Sequence, residues 1–236
     1  MIVHAIWFGG NKMQTELLAC IDSWKQYMPQ AEIKIWNEHT YKSRSKFYTK
    51  AIKNKQWAFA SDYARFDLLN RFGGIYLDTD MMLLRSIIPL FERYQCFIGK
   101  ENDLELSCGI ISLPKNNQIS KSVLELLDHI DLEEYTTIPL ILNRLYLNTP
   151  EIFEGVEILH KDFFYPYPYD VDGHYLDYIK ETSFGVHLWN ASWKSYFEKA
   201  LLKKKRGDYS GAIIEILKAA KFKPWRIFYI FNLLWK

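Results

Sequence analysis

The segment from Ser61 to Asp80 constrains this chain more tightly than any other, because it joins a helix to a strand through a glycine pair and ends the strand on two carboxylates. Leu69 and Phe72 continue an apolar period of helical spacing, Gly73-Gly74 admits the backbone conformations that end a helix, and Ile75-Tyr76-Leu77 reads as a buried strand. Asp78 and Asp80 therefore stand at the C-terminal end of a strand, the edge at which open α/β sheets bind ligands. On an extended backbone, their i, i+2 spacing sends both side chains to the same side. Two hard oxygen donors there suit Mg²⁺ or Mn²⁺, ions that hold a few protein carboxylates and complete their shell with water and phosphate oxygens. An Asp-x-Asp triplet also arises from solvated turn residues, so its surroundings decide what it means. Upstream, Asp62 and Arg65 fall i, i+3 on one helix face, the spacing of an ordinary surface ion pair. The same face runs toward Asp78, where an arginine can clamp a diphosphate through two parallel hydrogen bonds.

Around this segment, strand and helix patterns alternate. Ile2 to Trp7 reads as a strand; Leu17, Leu18, Ile21 and Trp24 follow at helical spacing, and Met28-Pro29 closes that helix. Ile33 to Trp36 alternates as a strand broken by residues 37–40, a helix from about Ser43 to Asn54 follows, and the motif helix starts near Trp57. Beyond Asp80, Met82 to Leu84, Gln95 to Ile98 and Leu106 to Leu113 read as strands, and Ile119 to Ile130 as a helix. This alternation predicts a mostly parallel sheet covered by helices. In the tyrosine-rich stretch Phe163 to Asp170, Pro166 and Pro168 forbid a regular helix. Its aromatic faces suit either an acceptor sugar or packing on the core.

With 236 residues and 49% hydrophobic content, the chain can bury the core of a single α/β domain. It enters its first strand at once, without a basic region, apolar stretch and cleavage site, so no signal peptide and a cytoplasmic location are expected. Cys20, Cys96 and Cys108 form neither an even set nor a close ligand pair, the pattern of buried thiols in a reducing compartment. His4, His39, His129, His160 and His174 show no ligand spacing. No Ser-His-Asp arrangement, Gly-x-x-x-x-Gly-Lys loop or zinc pattern is present, and no nucleic-acid partner is expected.

Three blocks carry a family resemblance. Ala60 to Met81 resembles the central motif of the Asp-x-Asp sugar-transferring enzymes of glycosyltransferase family 32; Ile2 to Gly10 is similar to that family's first strand and nucleotide loop; Gly185 to Trp193 resembles its closing His-x-Trp-x-x-Ser-Trp block. The family includes bacterial capsular polysaccharide transferases and fungal initiating mannosyltransferases, and its core resembles that of the large clostridial glucosylating toxins. The resemblance implies an α/β fold of the GT-A, Rossmann-like type over residues 1–198, with a helical C-terminal extension over 199–236. It also implies retention of anomeric configuration during hexose transfer from a nucleotide diphosphate sugar, with UDP-galactose and UDP-glucose as leading donors. The acceptor would be a glycan or lipid-linked glycan of a capsule or other cell-surface polysaccharide. A toxin-like transferase acting on a protein and a noncatalytic nucleotide-sugar-binding module are the alternatives.

Residue by residue, the resemblance puts Mn²⁺ or Mg²⁺ on Asp78, Asp80 and His187, with Asp78 also reaching the donor ribose. Asp62 would bind donor hydroxyls, and Arg65 the sugar or phosphate side. Trp7 would stack on the base beside the Gly9-Gly10 loop, with Asn37 a further contact to the base. Ser192 would share or replace the role of His187, and Trp193 would donate its indole N–H to the leaving oxygen. Taken without the family, Trp7 is a core aromatic at a strand end, Asn37 a turn residue, His187 a core histidine, and Trp189 with Trp193 a packed pair on a helix start.

Charge is uneven along the chain. Residues 199–236 carry ten Lys or Arg against two Asp or Glu, a net of +8, which leaves −6 for residues 1–198. Lys203 to Arg206 precede a helix-like Ala212 to Ala220, and Pro224 to Lys236 forms an aromatic, apolar run. The run is shorter than the ~20 residues of a spanning helix. An interfacial segment drawn to anionic lipid, with Trp225 and Trp235 near the headgroups, fits better; the alternative is a C-terminal helix packed on the catalytic domain or at a dimer interface. Co-sedimentation with anionic vesicles at low salt should depend on residues 207–236; equal binding of a chain truncated at 206 would remove the membrane reading.

Overall fold

The computed structural model describes residues 1–135, 137–169, 171, 174–190, 203–204 and 209–214. The chain divides into two compact units, Met1–Pro166 with Lys180–Leu188, and Tyr167–Ile179 with the residues from Trp189 onward.

In the first unit, β1 (Ile2–Ile6) lies inside a six-stranded sheet, and Val3, Ala5 and Ile6 are buried. It pairs in parallel with β2 (Glu32–Trp36) on one side and β3 (Gly74–Leu77) on the other. The sheet continues through β6 (Leu106–Leu113) and β5 (Phe97–Lys100) to β7 (Glu157–Leu159). All eight residues of β6 are buried, so both of its faces are covered. The helices α1 (Thr15–Tyr27), α2 (Lys46–Lys53), α3 (Trp57–Phe72) and α5 (Gln118–His129) lie close to the expected spans. Ser45 and Asn117 cap α2 and α5 by accepting hydrogen bonds from the backbone N–H groups of Tyr48 and Ser120.

Where a mostly parallel sheet was predicted, the sheet is mixed: β6 runs antiparallel to both β3 and β5, whereas β7 is parallel to β5. Only residues 101–105 separate β5 from β6, too few for the crossover that parallel neighbours need. Two helices were also unexpected. The short α4 (Ile88–Tyr94) ends at Gln95, whose φ of 56° delays the following strand to Phe97. In α6 (Ile138–Asn148), Pro139 sits in the first turn, where its missing N–H costs nothing, and Ile138, Ile141 and Leu142 face the core.

The glycine pair is required by close approach as well as by conformation. Gly73 and Gly74 have φ values of 64° and 102°, and a Cβ on Gly74 would lie 2.5 Å from the Ile2 carbonyl oxygen. His4 locks the same junction. Its Nδ1 accepts from the Trp36 indole N–H at 3.1 Å, so Nε2–H donates to the Gly73 carbonyl at 2.9 Å, and burial lowers its pKa toward this neutral form.

Beyond β3, the chain reverses into β4 (Met81–Leu83), which pairs antiparallel with β8 (Gly185–His187) in a separate two-stranded sheet. In the second unit, Trp189 has a φ of 53° and donates its indole N–H to the Tyr167 carbonyl at 2.7 Å, so it does not begin a helix. Residues 209–214 are helical, whereas most of the expected extension, including Trp225 and Trp235, lies outside the described residues. No helix among the described residues is long and apolar enough to cross a membrane.

Candidate active site

Asp78 and Asp80 come together by a different route from the one their spacing implied. Met81 N–H donates to the Asp78 carbonyl at 2.9 Å, closing a turn over residues 78–81, so the two carboxylates do not alternate along an extended strand. The turn starts β4, and the β4–β8 register sets His187 opposite Met81. Leu188 N–H donates to the Asp80 carbonyl at 3.0 Å, which holds β8 against the turn. His187 Nε2 then lies 3.1 Å from Asp80 Oδ1 and 3.7 Å from Asp78 Oδ2. One donor atom from each of the three residues lies within 4.8 Å of the other two. Two carboxylate oxygens and an imidazole nitrogen at this separation fit Mn²⁺ or Mg²⁺, with positions left for water and phosphate.

Charge in the cluster is balanced by cations of the protein itself. Burial pulls the His187 pKa down, but the Asp80 and Asp78 carboxylates outweigh it and push it up to about 10. The imidazolium thus supplies positive charge between them. A metal ion on the neutral ring would release that proton. Burial alone would raise the Asp78 pKa; Arg65 and His187 reverse the effect and hold it below the usual carboxylate range.

Arg65, on α3, is the hub of the second half of the site. It is only 7% exposed, so its pairing with Asp62 is no surface ion pair. Its Nη2 lies 2.9 Å from Asp62 Oδ1, its Nη1 donates to the Cys108 carbonyl at 2.7 Å and lies 3.4 Å from Asp78 Oδ1, and the guanidinium sits 4.7 Å from the centre of the Tyr76 ring. Both terminal nitrogens therefore face protein acceptors. Asp62 is equally buried, and desolvation raises its pKa to about 6 against the pull of Arg65.

Tyr76, Tyr135 and Gly109, around these carboxylates, were not singled out from the sequence. Tyr76 donates its hydroxyl to Asp78 Oδ1 at 2.8 Å, and Tyr135 donates to Asp62 Oδ2 at 2.7 Å. Tyr165 is buried, its ring centre 5.5 Å from that of His187 and its hydroxyl oxygen 2.6 Å from Ser107 Oγ, so within the tyrosine-rich stretch this residue packs in the core. A Cβ on Gly109 would stand 2.6 Å from Tyr165 Oη and 2.9 Å from Asp78 Oδ2. The sequence does carry a signal for Gly109: an isolated glycine within an apolar strand marks a close approach.

Of the residues expected at the nucleotide loop, Trp7 is half-buried and donates its indole N–H to the Asn11 carbonyl at 2.7 Å. Gly9 has a φ of 100°, and a Cβ there would meet the Trp57 ring at 2.9 Å. Its N–H donates to the Glu38 carboxylate, 3.2 and 3.3 Å from the two oxygens. Asn37 directs its side-chain oxygen to the N–H groups of His39 and Thr40, the work of a turn residue. Ser192 and Trp193 lie outside the described residues.

Residues 15–97, which contain the motif helix, the glycine pair and both aspartates, match the family described as "Glycosyltransferase sugar-binding region containing DXD motif". Residues 15–97 thus carry the sugar-binding region of DXD-type glycosyltransferases. The chain is 26% identical over 175 residues to lactosylceramide 4-alpha-galactosyltransferase of Mus musculus, a match covering 63% of this chain and 46% of the relative. The Homo sapiens enzyme of the same name is 25% identical over 180 residues, with 67% and 50% covered. The chain thus spans about half the length of these curated relatives. Among solved structures it is similar to PaToxG glycosyltransferase, with a TM-score of 0.51 at 18% identity over 65% of this chain and 71% of the other. Its fold is that of the GT-A glycosyltransferases.

Gly109→Ala should be folded but displaced at Asp78, losing about 1–3 kcal/mol of stability from the overpacked strand. Mn²⁺ titration followed by electron paramagnetic resonance should show affinity weakened by about tenfold, a change of roughly 1.4 kcal/mol. Parent-like Mn²⁺ affinity in the folded variant would mean that Asp78 takes no part in holding the ion.

Proposed function

We propose that this chain is a glycosyltransferase that moves a hexose from a nucleotide diphosphate sugar to a glycan acceptor and uses Asp78, Asp80 and His187 to hold Mn²⁺ or Mg²⁺. The observation that carries this reading is the convergence of those three residues on one half-buried edge, backed by the Arg65–Asp62 pair within a DXD-type region. A bound divalent cation supplies Lewis-acid neutralisation of the diphosphate as it departs.

The protein side chains do the remaining work. Arg65 keeps Asp78 ionised and fixes Asp62, and it adds a permanent positive charge beside the place where negative charge accumulates. Asp62 uses lone pairs not taken by Arg65 and Tyr135 to accept hydrogen bonds from donor-sugar hydroxyls. Trp7 offers its indole face to the base beside Gly9, with Asn37 nearby in the chain, while Ser192 and Trp193 complete the diphosphate side. Transfer proceeds with retention of configuration and without a dedicated protein base.

The donor is a UDP-hexose, with UDP-galactose first. Support comes from the mouse and human relatives, whose names describe galactose transfer to lactosylceramide. The same names support a lipid-linked glycan as acceptor, in capsule or other cell-surface polysaccharide synthesis. That role agrees with a cytoplasmic enzyme whose basic, aromatic residues 199–236 meet an anionic membrane surface.

A panel of UDP- and GDP-sugars with Mn²⁺, scored by nucleotide release, tests this reading without the acceptor. Slow hydrolysis of a UDP-hexose is expected, together with its loss in excess EDTA. Asp80→Asn should lower the rate by at least about 10²-fold, because losing one anionic ligand removes several kcal/mol of leaving-group stabilisation. Full activity in EDTA, or a parent-like Asp80→Asn, would overturn the metal assignment.

A further inference from the structure

Tyr135 stands between α5 and α6, 73 positions from Asp62 in sequence, yet its hydroxyl donates to Asp62 Oδ2 at 2.7 Å. Its surroundings are built to aim that hydroxyl. The Tyr135 ring packs edge-on against Phe47, with centroids 5.0 Å apart, and against Phe59, at 4.7 Å. Only 6% of the residue is exposed. Lys50 on α2 pairs with Asp131 at 2.7 Å and Glu133 at 2.9 Å, tying the segment just ahead of Tyr135 to the helix that carries Phe47.

Asp62 is thus held from both sides. Arg65 Nη2 takes Oδ1 and the Tyr135 hydroxyl takes Oδ2, so rotation about the terminal torsion would break both contacts at once. A carboxylate fixed in this way presents its remaining lone pairs in one direction. Removing the hydroxyl alone leaves Oδ2 unheld, so that Arg65 is the carboxylate's one remaining clamp, and keeps the aromatic packing in place. We propose that Tyr135 is a positioning residue for donor-sugar recognition, orienting the Asp62 carboxylate so that it meets the hydroxyls of the hexose. This inference rests on the proposed use of Asp62 toward the donor, and it assigns to residues 131–135 a part in selecting the sugar.

The test is Tyr135→Phe in the full chain, with UDP, UDP-galactose and UDP-glucose as probes in the presence of Mn²⁺. A merely structural phenol would alter all three affinities alike. A positioning phenol alters only those that include a sugar. Calorimetry should give a UDP affinity within twofold of the parent and a weakening of about five- to tenfold for the UDP-hexose that the parent prefers. Asp62→Ala should show the same selective loss, and adding Tyr135→Phe to it should cost nothing more, because the phenol then has no carboxylate to orient. Equal weakening toward UDP and UDP-hexose, parent-like binding of both, or fully additive losses in the double variant would each overturn the proposal. A parent that binds UDP without preferring any UDP-hexose would overturn the reading of the donor site itself, and this outcome is visible before any variant is made.

Discussion

The buried guanidinium of Arg65 is the interaction on which the site depends. A cation only 7% exposed must be paired, and here its partners are the Asp62 carboxylate, the Asp78 carboxylate and the Cys108 carbonyl, with the Tyr76 ring beneath it. Each partner comes from a different part of the chain: α3 itself, the end of β3, and the interior of β6. Removing one member of such a buried set leaves an uncompensated charge, at a cost of several kcal/mol. The ion pair that looks like a surface i, i+3 contact in the sequence is therefore the strut that sets helix, motif strand and antiparallel neighbour at fixed positions.

Electrostatics extends this constraint to the three residues proposed to hold the metal. Asp62, Asp78 and Asp80 bring three negative charges, against which Arg65 and a protonated His187 bring two positive ones. Exchanging the His187 proton for a divalent cation makes the set neutral. The same three carboxylates would repel one another in a site holding neither proton nor metal. Burial of the cluster makes each of these charges count for more than it would at a surface.

Much of this was legible in residues 61–80, and the exceptions have physical causes. The helix, the glycine pair and the short strand follow from local periodicity and backbone conformation, which a sequence carries directly. The gathering of Asp78 with Asp80 was expected from an extended strand; it arises instead from a turn and from the pairing of β4 with β8, a contact between segments about 100 residues apart. His187 became a candidate only through the family block, because a histidine in an apolar strand has no local signal. Tyr135 was invisible for the same reason, whereas Tyr165 takes the core-packing alternative that its tyrosine-rich stretch left open. Gly109 differs, since an isolated glycine inside the apolar run Leu106 to Leu113 can be read as a place where another group comes close, and that group is Asp78. The antiparallel β5–β6 pair was likewise open to inference from its five-residue connection.

The most direct measurement is a crystal structure of the chain with Mn²⁺ and UDP, with the metal located by its anomalous scattering. One Mn²⁺ is expected at the β3–β4 turn, held by Asp78, Asp80 and the neutral ring of His187, with Asp78 Oδ1 still bound by Arg65 and Tyr76 and the remaining positions filled by diphosphate and water. Mn²⁺ held by the nucleotide alone, with the His187 ring turned away from the turn, would contradict this assignment.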